Sequence, residues 1–277
     1  MKTERDCGRL VEFMKLLNSC AVALSGGVDS AVVCKAAKLA LGDRCLAVTA
    51  DSASVAASEL QQAREIAALI GIRHEILKTD ELSNPNYARN DSNRCYHCKT
   101  ELYSRIRQHM TQWKVVRIVN GTNLDDKGDH RPGMIAAKEL HVISPLLECS
   151  LGKADIREMA RFWKLPVHDK PASPCLSSRV AYGESVTPER LSMIEQAEAF
   201  LREQGFFEFR VRYHGGDLAR VELSVDDLSA LADAEFRQRL IDRFLEIGFR
   251  FVTLDLQGFR SGNLNQLISS DVLRSKA

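Results

Sequence analysis

Apolar positions along the first 165 or so residues follow two alternating rhythms. Short runs that are continuously apolar or alternate every second residue predict strands at CAVALS (20–25), RCLAVTAD (44–51), IRHEILKT (72–79) and KVVRIVNG (114–121). Between them, SAVVCKAAKLA (30–40), ASELQQAREIAALIG (57–71) and RCYHCKTELYSRIRQHM (94–110) repeat at helical spacing, and the N-terminal twenty residues read as an amphipathic helix. Gly71 stands where a left-handed cap would end the second of these helices. AAKEL and HVISPLL (136–147) predict a further helix and strand, and ADIREMARFWKL (154–165) a helix stopped by Pro166. Strands alternating with helices predict an α/β domain over residues 1–165, a parallel sheet with helices on both faces.

From Pro166 to Gly183 the rhythm stops. Three prolines and no periodicity predict a loop or linker over 166–183, long enough to expect a functional role. The pattern restarts at Thr187, which sits at an N-cap position before Pro188, with helical spacing through Gly205. FFEFRVRYHGGDLARVELS (206–224) reads as two strands around a His-Gly-Gly turn, DDLSALADAEFRQRLIDRFLEIG (226–248) as helix, and FRFVTLDLQG (249–258) as strand. A small α+β domain is therefore expected over 184–265, with a polar tail at 266–277.

The composition changes this picture little. Of 277 residues 45% are hydrophobic and 27% charged, and the net charge is +1, so no global basic field recruits nucleic acid. The N-terminus lacks an apolar signal region and no stretch approaches a membrane span, so a soluble, cytoplasmic protein with no membrane partner is expected. Eight cysteines at irregular spacing do not form a disulfide framework; Cys20, Cys34 and Cys45 lie in apolar contexts and read as small buried hydrophobes.

The sharpest motif is Ser25-Gly26-Gly27-Val28-Asp29-Ser30, between a strand and a helix. Two glycines let the backbone turn tightly against a ligand, and the following helix N-terminus favours an anion. Ser25 and Ser30 can donate hydroxyls to phosphate. Asp29 is out of place at an anion site unless a cation is there too, and Mg²⁺ held between carboxylate and phosphate would account for it. No Lys follows the glycines, so this is not the P-loop of GxxxxGK[ST] type. It resembles the SGGxDS loop of the PP-loop ATP pyrophosphatases, which split ATP between the α and β phosphates and adenylylate an oxygen. AVTADSAS (47–54) ends the second strand, where such folds place adenine. Gly121-Thr122-Asn123-Leu124-Asp125-Asp126 follows the fourth and brings Gly121, Thr122 and Asp125 to the same sheet edge.

Cys175 lies in the loop Pro174-Cys175-Leu176-Ser177-Ser178-Arg179, near Lys170. Neighbouring cations raise the thiolate fraction of a thiol. By its residues alone the thiol could be structural, a metal ligand, a nucleophile or a redox group. Cys95-x-x-Cys98 permits a structural or substrate-lining role, a metal or a disulfide, with no second paired motif to complete a zinc site. Arg210 and Arg212 project from one face of a strand and suit either a substrate phosphate or a solvated surface; Arg179, with Ser177 and Ser178, shares the cysteine loop and is the better phosphate candidate. Glu222 could hold a metal between subunits, or be an ordinary carboxylate.

DKPASPCLSSRVAYGESVTPERL (169–191), RVRYHGGDLARVEL (210–223) and FVTLDLQGFRSGNLNQ (251–266), together with NRCYHCKTELY (93–103) and GTNLDDKGDHRPGM (121–134), resemble the ATP-dependent sacrificial sulfur transferase family LarE. That resemblance implies ATP and Mg²⁺, and a nucleotide substrate, pyridinium-3,5-biscarboxylic acid mononucleotide, on the way to a nickel-pincer cofactor. It implies that Cys175 gives up its sulfur through a thioester and becomes dehydroalanine. A single Cys in PASPCLSSR fits this version and not one that uses an iron–sulfur cluster. His168 or Asp169 is near in sequence for the proton abstraction that step needs, without either being assigned. Partners implied are the carboxylating and nickel-inserting enzymes of the pathway, and further copies in a homo-oligomer. Rival readings are an amidating synthetase, a tRNA thiolase, or a module that binds ATP without turnover.

Overall fold

The computed structural model describes residues 2–128, 132–171 and 173–260. The expected polar tail, the last residues of the expected second domain and part of the GTNLDDKGDHRPGM segment lie outside the described residues. The chain forms two compact units. One comprises residues 1–81 with 95–173, the other 82–94 with the residues from 174 on.

The first unit is built on four parallel strands, β1 (Cys20–Ala23), β2 (Cys45–Asp51), β3 (Arg73–Lys78) and β4 (Arg117–Val119), in the order β3-β2-β1-β4. Parallel neighbours need crossover connections, supplied by α2 (Val28–Leu41), α3 (Ala57–Ile70) and the long α5 (Arg94–Trp113), while α1 (Lys2–Lys15) precedes the sheet. The alternation of the strands fills two cores. Cys20, Val22, Cys45 and Ala47 pack with α1, α2, α3 and α8 (Lys153–Phe162). Ala21, Leu46 and Val48 face the other way, against Leu102, Tyr103 and Ile106 of α5 and Ala137 of α6 (Pro132–Glu139). Both faces are covered, as the near-continuous apolar runs require. Gly71 takes the left-handed conformation and ends α3, as expected. HVISPLL is not a strand. It contributes a single bridge, Ile143 to Val119, before Pro145, which lacks a donor for a ladder, opens the short α7 (Pro145–Glu148).

The second unit opens with the short α4 (Pro85–Ala88), capped by Asn84. It then resumes with a 3₁₀ turn at Leu176–Arg179, α9 (Pro188–Glu203), the hairpin β5 (Phe209–His214) and β6 (Leu218–Leu223), a 3₁₀ segment Asp226–Ala232, α10 (Ala234–Ile247) and β7 (Phe251–Leu254). β5 and β6 are antiparallel; β7 joins β6 in parallel after the α10 crossover, giving the order β5-β6-β7. Thr187 caps α9 by accepting from the Arg190 amide at 3.3 Å. Asn90, fully buried with φ of 58°, donates to the carbonyls of Val180, Ala181 and Glu184, and so ties the segment 82–94 to the stretch after the cysteine loop.

Candidate active-site loops

In the first unit the 25–30 loop leaves β1 at the carboxyl edge of the sheet. Gly26 has φ of +76°, a conformation that glycine adopts without strain. Gly27 caps α2 without a side-chain partner. The Ser30 hydroxyl is turned into the loop: it donates to the Gly27 carbonyl at 3.0 Å and accepts from the Ser25 amide at 3.2 Å. Ser30 therefore shapes the loop, and its donor is already engaged. Asp29 accepts from Lys153 Nζ at 2.6 Å through Oδ2, while its Oδ1 is buried without a hydrogen-bond partner. A buried anionic oxygen left unpaired is costly, and a divalent cation is the kind of partner that relieves it. The residues present thus fit Mg²⁺ at Asp29.

Gly121 lies against this loop. A Cβ there would meet the Ser30 amide nitrogen at 2.8 Å and the Asp29 carbonyl carbon at 3.1 Å, so only glycine fits. The two motifs separated by ninety-odd residues are in contact. Thr122 is set by its amide bond to Asn120 Oδ1 at 3.1 Å. Asp125 is turned onto the start of α8, where its Oδ2 accepts the Lys153 amide at 2.6 Å. Lys153 thus joins Asp125 and Asp29, through its backbone and its side chain. The sequence reading missed it, although a lysine in the first turn of a helix, against the helix dipole, is a usable signal. Also missed was Glu81, buried at the start of the 3₁₀ turn after β3, where it accepts from Ser52 at 2.7 Å, Ser54 at 2.5 Å and Thr79 at 3.0 Å. Glu81 thereby ties the turn that follows β2, through Ser52 and Ser54, to Thr79.

In the second unit Cys175 is a half-buried free thiol at the head of the 3₁₀ turn. Its carbonyl accepts from the Ser178 amide at 2.9 Å, the Ser178 hydroxyl at 2.6 Å and Arg179 Nη1 at 3.0 Å. Arg179 also reaches the Pro174 carbonyl, and its other edge meets Glu198 at 3.0 and 3.2 Å. Arg179 is 3% exposed, so it positions the cysteine backbone instead of presenting a fork to a phosphate. Ser177 is likewise internal: its hydroxyl meets Tyr87 Oη at 2.6 Å and its carbonyl accepts from Arg94 at 2.7 Å. Ser178, the expected ligand beside it, has its hydroxyl donor on the Cys175 carbonyl.

Arg212 does not lie on a solvated face. It is buried, paired with Glu222 at 3.0 and 3.1 Å and bonded to the Ser178 carbonyl at 3.1 Å. Glu222, fully buried, also accepts from Arg220 at 3.1 Å. Two guanidiniums on its oxygens make Glu222 an ion-pair anchor, and among the described residues no group of three or more His, Cys, Asp or Glu is arranged to hold a metal. Burial, with Arg179 nearby, pushes Arg210 down to about 10, and its guanidinium lies 4.9 Å from the Phe259 ring centre.

The remaining cysteines separate cleanly. Cys7, Cys20, Cys34, Cys45 and Cys149 are buried, and burial raises each of their thiols, Cys7 and Cys45 to about 11. Such thiols are poor nucleophiles at neutral pH. On α5, Cys95 is exposed and Cys98 half-buried. His168 Nε2 lies 2.9 Å from Asp169 Oδ2, and Asp169 is held well into its ionised range by Arg161 at 2.5 Å. No helix among the described residues is long and apolar enough to cross a membrane.

Residues 19–101 match the family model described as queuosine biosynthesis protein QueC. Over 266 residues the chain is 41% identical to an uncharacterized protein of Synechocystis sp., covering 96% of this chain and 99% of that protein. It is 29% identical over 240 residues to an uncharacterized protein of Methanocaldococcus jannaschii, covering 87% and 90%. It is 34% identical over 269 residues to the pyridinium-3,5-bisthiocarboxylic acid mononucleotide synthase of Lactiplantibacillus plantarum, covering 97% of this chain and 96% of that one. With a four-stranded parallel sheet carrying the Ser25–Ser30 loop, and identity of that order over nearly the whole length of both proteins, this chain belongs to the family of pyridinium-3,5-bisthiocarboxylic acid mononucleotide synthase.

Proposed function

We propose that this protein is an ATP-dependent sulfur transferase of nucleotide-cofactor biosynthesis that uses its own Cys175 as the sulfur source. ATP adenylylates a carboxylate of pyridinium-3,5-biscarboxylic acid mononucleotide, with release of pyrophosphate. The Cys175 thiolate attacks the acyl carbon and expels AMP, forming a thioester. A base removes the Cys175 α-proton, the Cα–Cβ double bond forms and the Cβ–S bond breaks. The sulfur leaves with the substrate as a thiocarboxylate, and the protein keeps dehydroalanine. Mg²⁺ held at Asp29 would offset phosphate charge while ATP is bound.

The observation that carries this reading is the setting of Cys175. Cys175 is half-buried and not sealed in the core, and the loop around it is fixed through main-chain carbonyls by Ser178 and Arg179. Elimination needs a backbone held still while the side chain reacts, and these contacts supply that. ATP and a nucleotide substrate are the partners this requires; contact with carboxylating and nickel-inserting enzymes, and assembly into a homo-oligomer, belong to the same proposal.

Intact-protein mass spectrometry before and after turnover tests it. A loss of about 34 Da, the mass of H₂S, localised to Cys175 is expected. Product formed with the mass unchanged and no sulfide supplied rules the sacrificial route out. Cys175→Ala should bind ATP and make no thiolated product. ATP bound by the native chain without pyrophosphate release in the presence of substrate would favour a nucleotide sensor instead.

A further inference from the structure

We infer that Lys170 is a nucleotide-binding residue that takes the β,γ-phosphate end of ATP; this rests on the ATP-dependent reading above. The lysine belongs to the stretch between α8 and the cysteine loop, yet its ammonium lies on the 25–30 loop. Nζ is 3.4 Å from the Gly26 carbonyl and 2.6 Å from Glu59 Oε2, and it also meets Gln62 Oε1. Its side chain is 16% exposed, so this is not a loose surface lysine.

The backbone beneath it is fixed as well. Arg157 of α8 donates to the His168 carbonyl at 2.9 Å and to the Lys170 carbonyl at 3.1 Å. Helix α8 therefore braces the loop twice, through Lys153 on Asp29 and through Arg157 on the segment that carries Lys170. Positioning of this kind at a glycine-rich turn suits recognition of an anion.

An ammonium has three donors. Two of the Lys170 bonds are short and run to α3 side chains; the third, to the loop carbonyl, is the long one. That third bond is the weakest, and a phosphate oxygen arriving at the loop can replace it with a charge-assisted bond at little cost. Glu59 then stays as the counter-ion that orients the lysine. A residue in this role senses the terminal phosphates and ignores the adenosine.

Calorimetric titration of the full chain with Mg-ATP, Mg-pyrophosphate and AMP tests this. Native protein should bind all three, and Lys170→Gln should weaken ATP and pyrophosphate by about ten-fold or more while AMP stays within about two-fold. Equal weakening of AMP would show a purely structural brace and overturn the inference, as would unchanged pyrophosphate affinity. Glu59→Gln removes the brace but keeps the cation, so pyrophosphate affinity should be retained; a loss matching that of Lys170→Gln also overturns it. Should Lys170→Gln not fold, acetylation footprinting of the native chain supplies the answer. Pyrophosphate should protect Lys170 and AMP should not, and equal protection, or none, counts against the role. If native protein binds neither ATP nor pyrophosphate, the ATP-dependent reading itself fails, which is a different result.

Discussion

Arg179 donates to the carbonyl of Cys175 at 3.0 Å while its opposite edge is paired with Glu198, which also accepts the Val211 amide at 3.2 Å. One guanidinium thus ties the cysteine loop to α9 and, through Glu198, to β5. Lysine keeps the charge but cannot serve both edges. Arg179→Lys should lower stability by about 1–3 kcal/mol in urea denaturation, since donors and acceptors are left unmatched in a buried site. It should slow sulfur transfer while pyrophosphate release from ATP persists. Loss of both activities in parallel would show that Arg179 acts on more than the cysteine.

Gly121→Ala places a methyl 2.8 Å from the Ser30 amide nitrogen, which is backbone and cannot step aside cheaply. The expected cost is about 1–3 kcal/mol, read in denaturant. ATP affinity should fall along with it, because the displaced atoms belong to the phosphate loop. A stable Gly121→Ala protein with native ATP affinity would contradict the packing of the two motifs.

Asp29→Asn removes the charge of the orphaned carboxylate oxygen. If that oxygen holds Mg²⁺, the magnesium concentration for half-maximal pyrophosphate release should rise by about ten-fold or more. ATP binding measured without magnesium should not weaken. An unchanged magnesium requirement would place the cation elsewhere.

Burial lowers the pKa of His74 and of His214 from the ordinary 6.5. The unfolded chain binds these protons more readily than the folded one. Stability is therefore fully present above pH 6.5 and declines as the pH falls through 6.5 towards the lower folded values. Denaturation at pH 7.5 and 5.5, taken as two points about that midpoint, should show the decline, and His74→Gln should reduce it. A pH slope indifferent to this change would assign the decline to other groups.

The parallel sheet was legible because its strands are buried on both faces and its helices have caps such as Gly71. Residues 82–94 were harder: periodicity cannot signal that Asn90 and Tyr87 join a unit whose remaining residues come some eighty positions later. The strand expected at HVISPLL failed at Pro145, a residue the pattern did not weigh. Among the candidate residues, Ser25–Ser30 and Cys175 stand out by type and spacing. Arginines do not reveal in sequence whether they face a ligand or a glutamate. Arg179 and Arg212 are engaged by Glu198 and Glu222, and only the fold brings those carboxylates within reach. Which carboxylates Lys170 and Lys153 meet, Glu59 and Asp29, was hidden for the same reason.

The hydrogen bonds from Ser178 and Arg179 that hold the 174–175 stretch all run to carbonyl oxygens and none to the thiol. A chain that has surrendered its sulfur therefore keeps its whole scaffold. Its melting temperature should match that of fresh protein, and the exhausted molecule would accumulate as a folded electrophile, reactive toward any passing thiol, which its own instability would never clear.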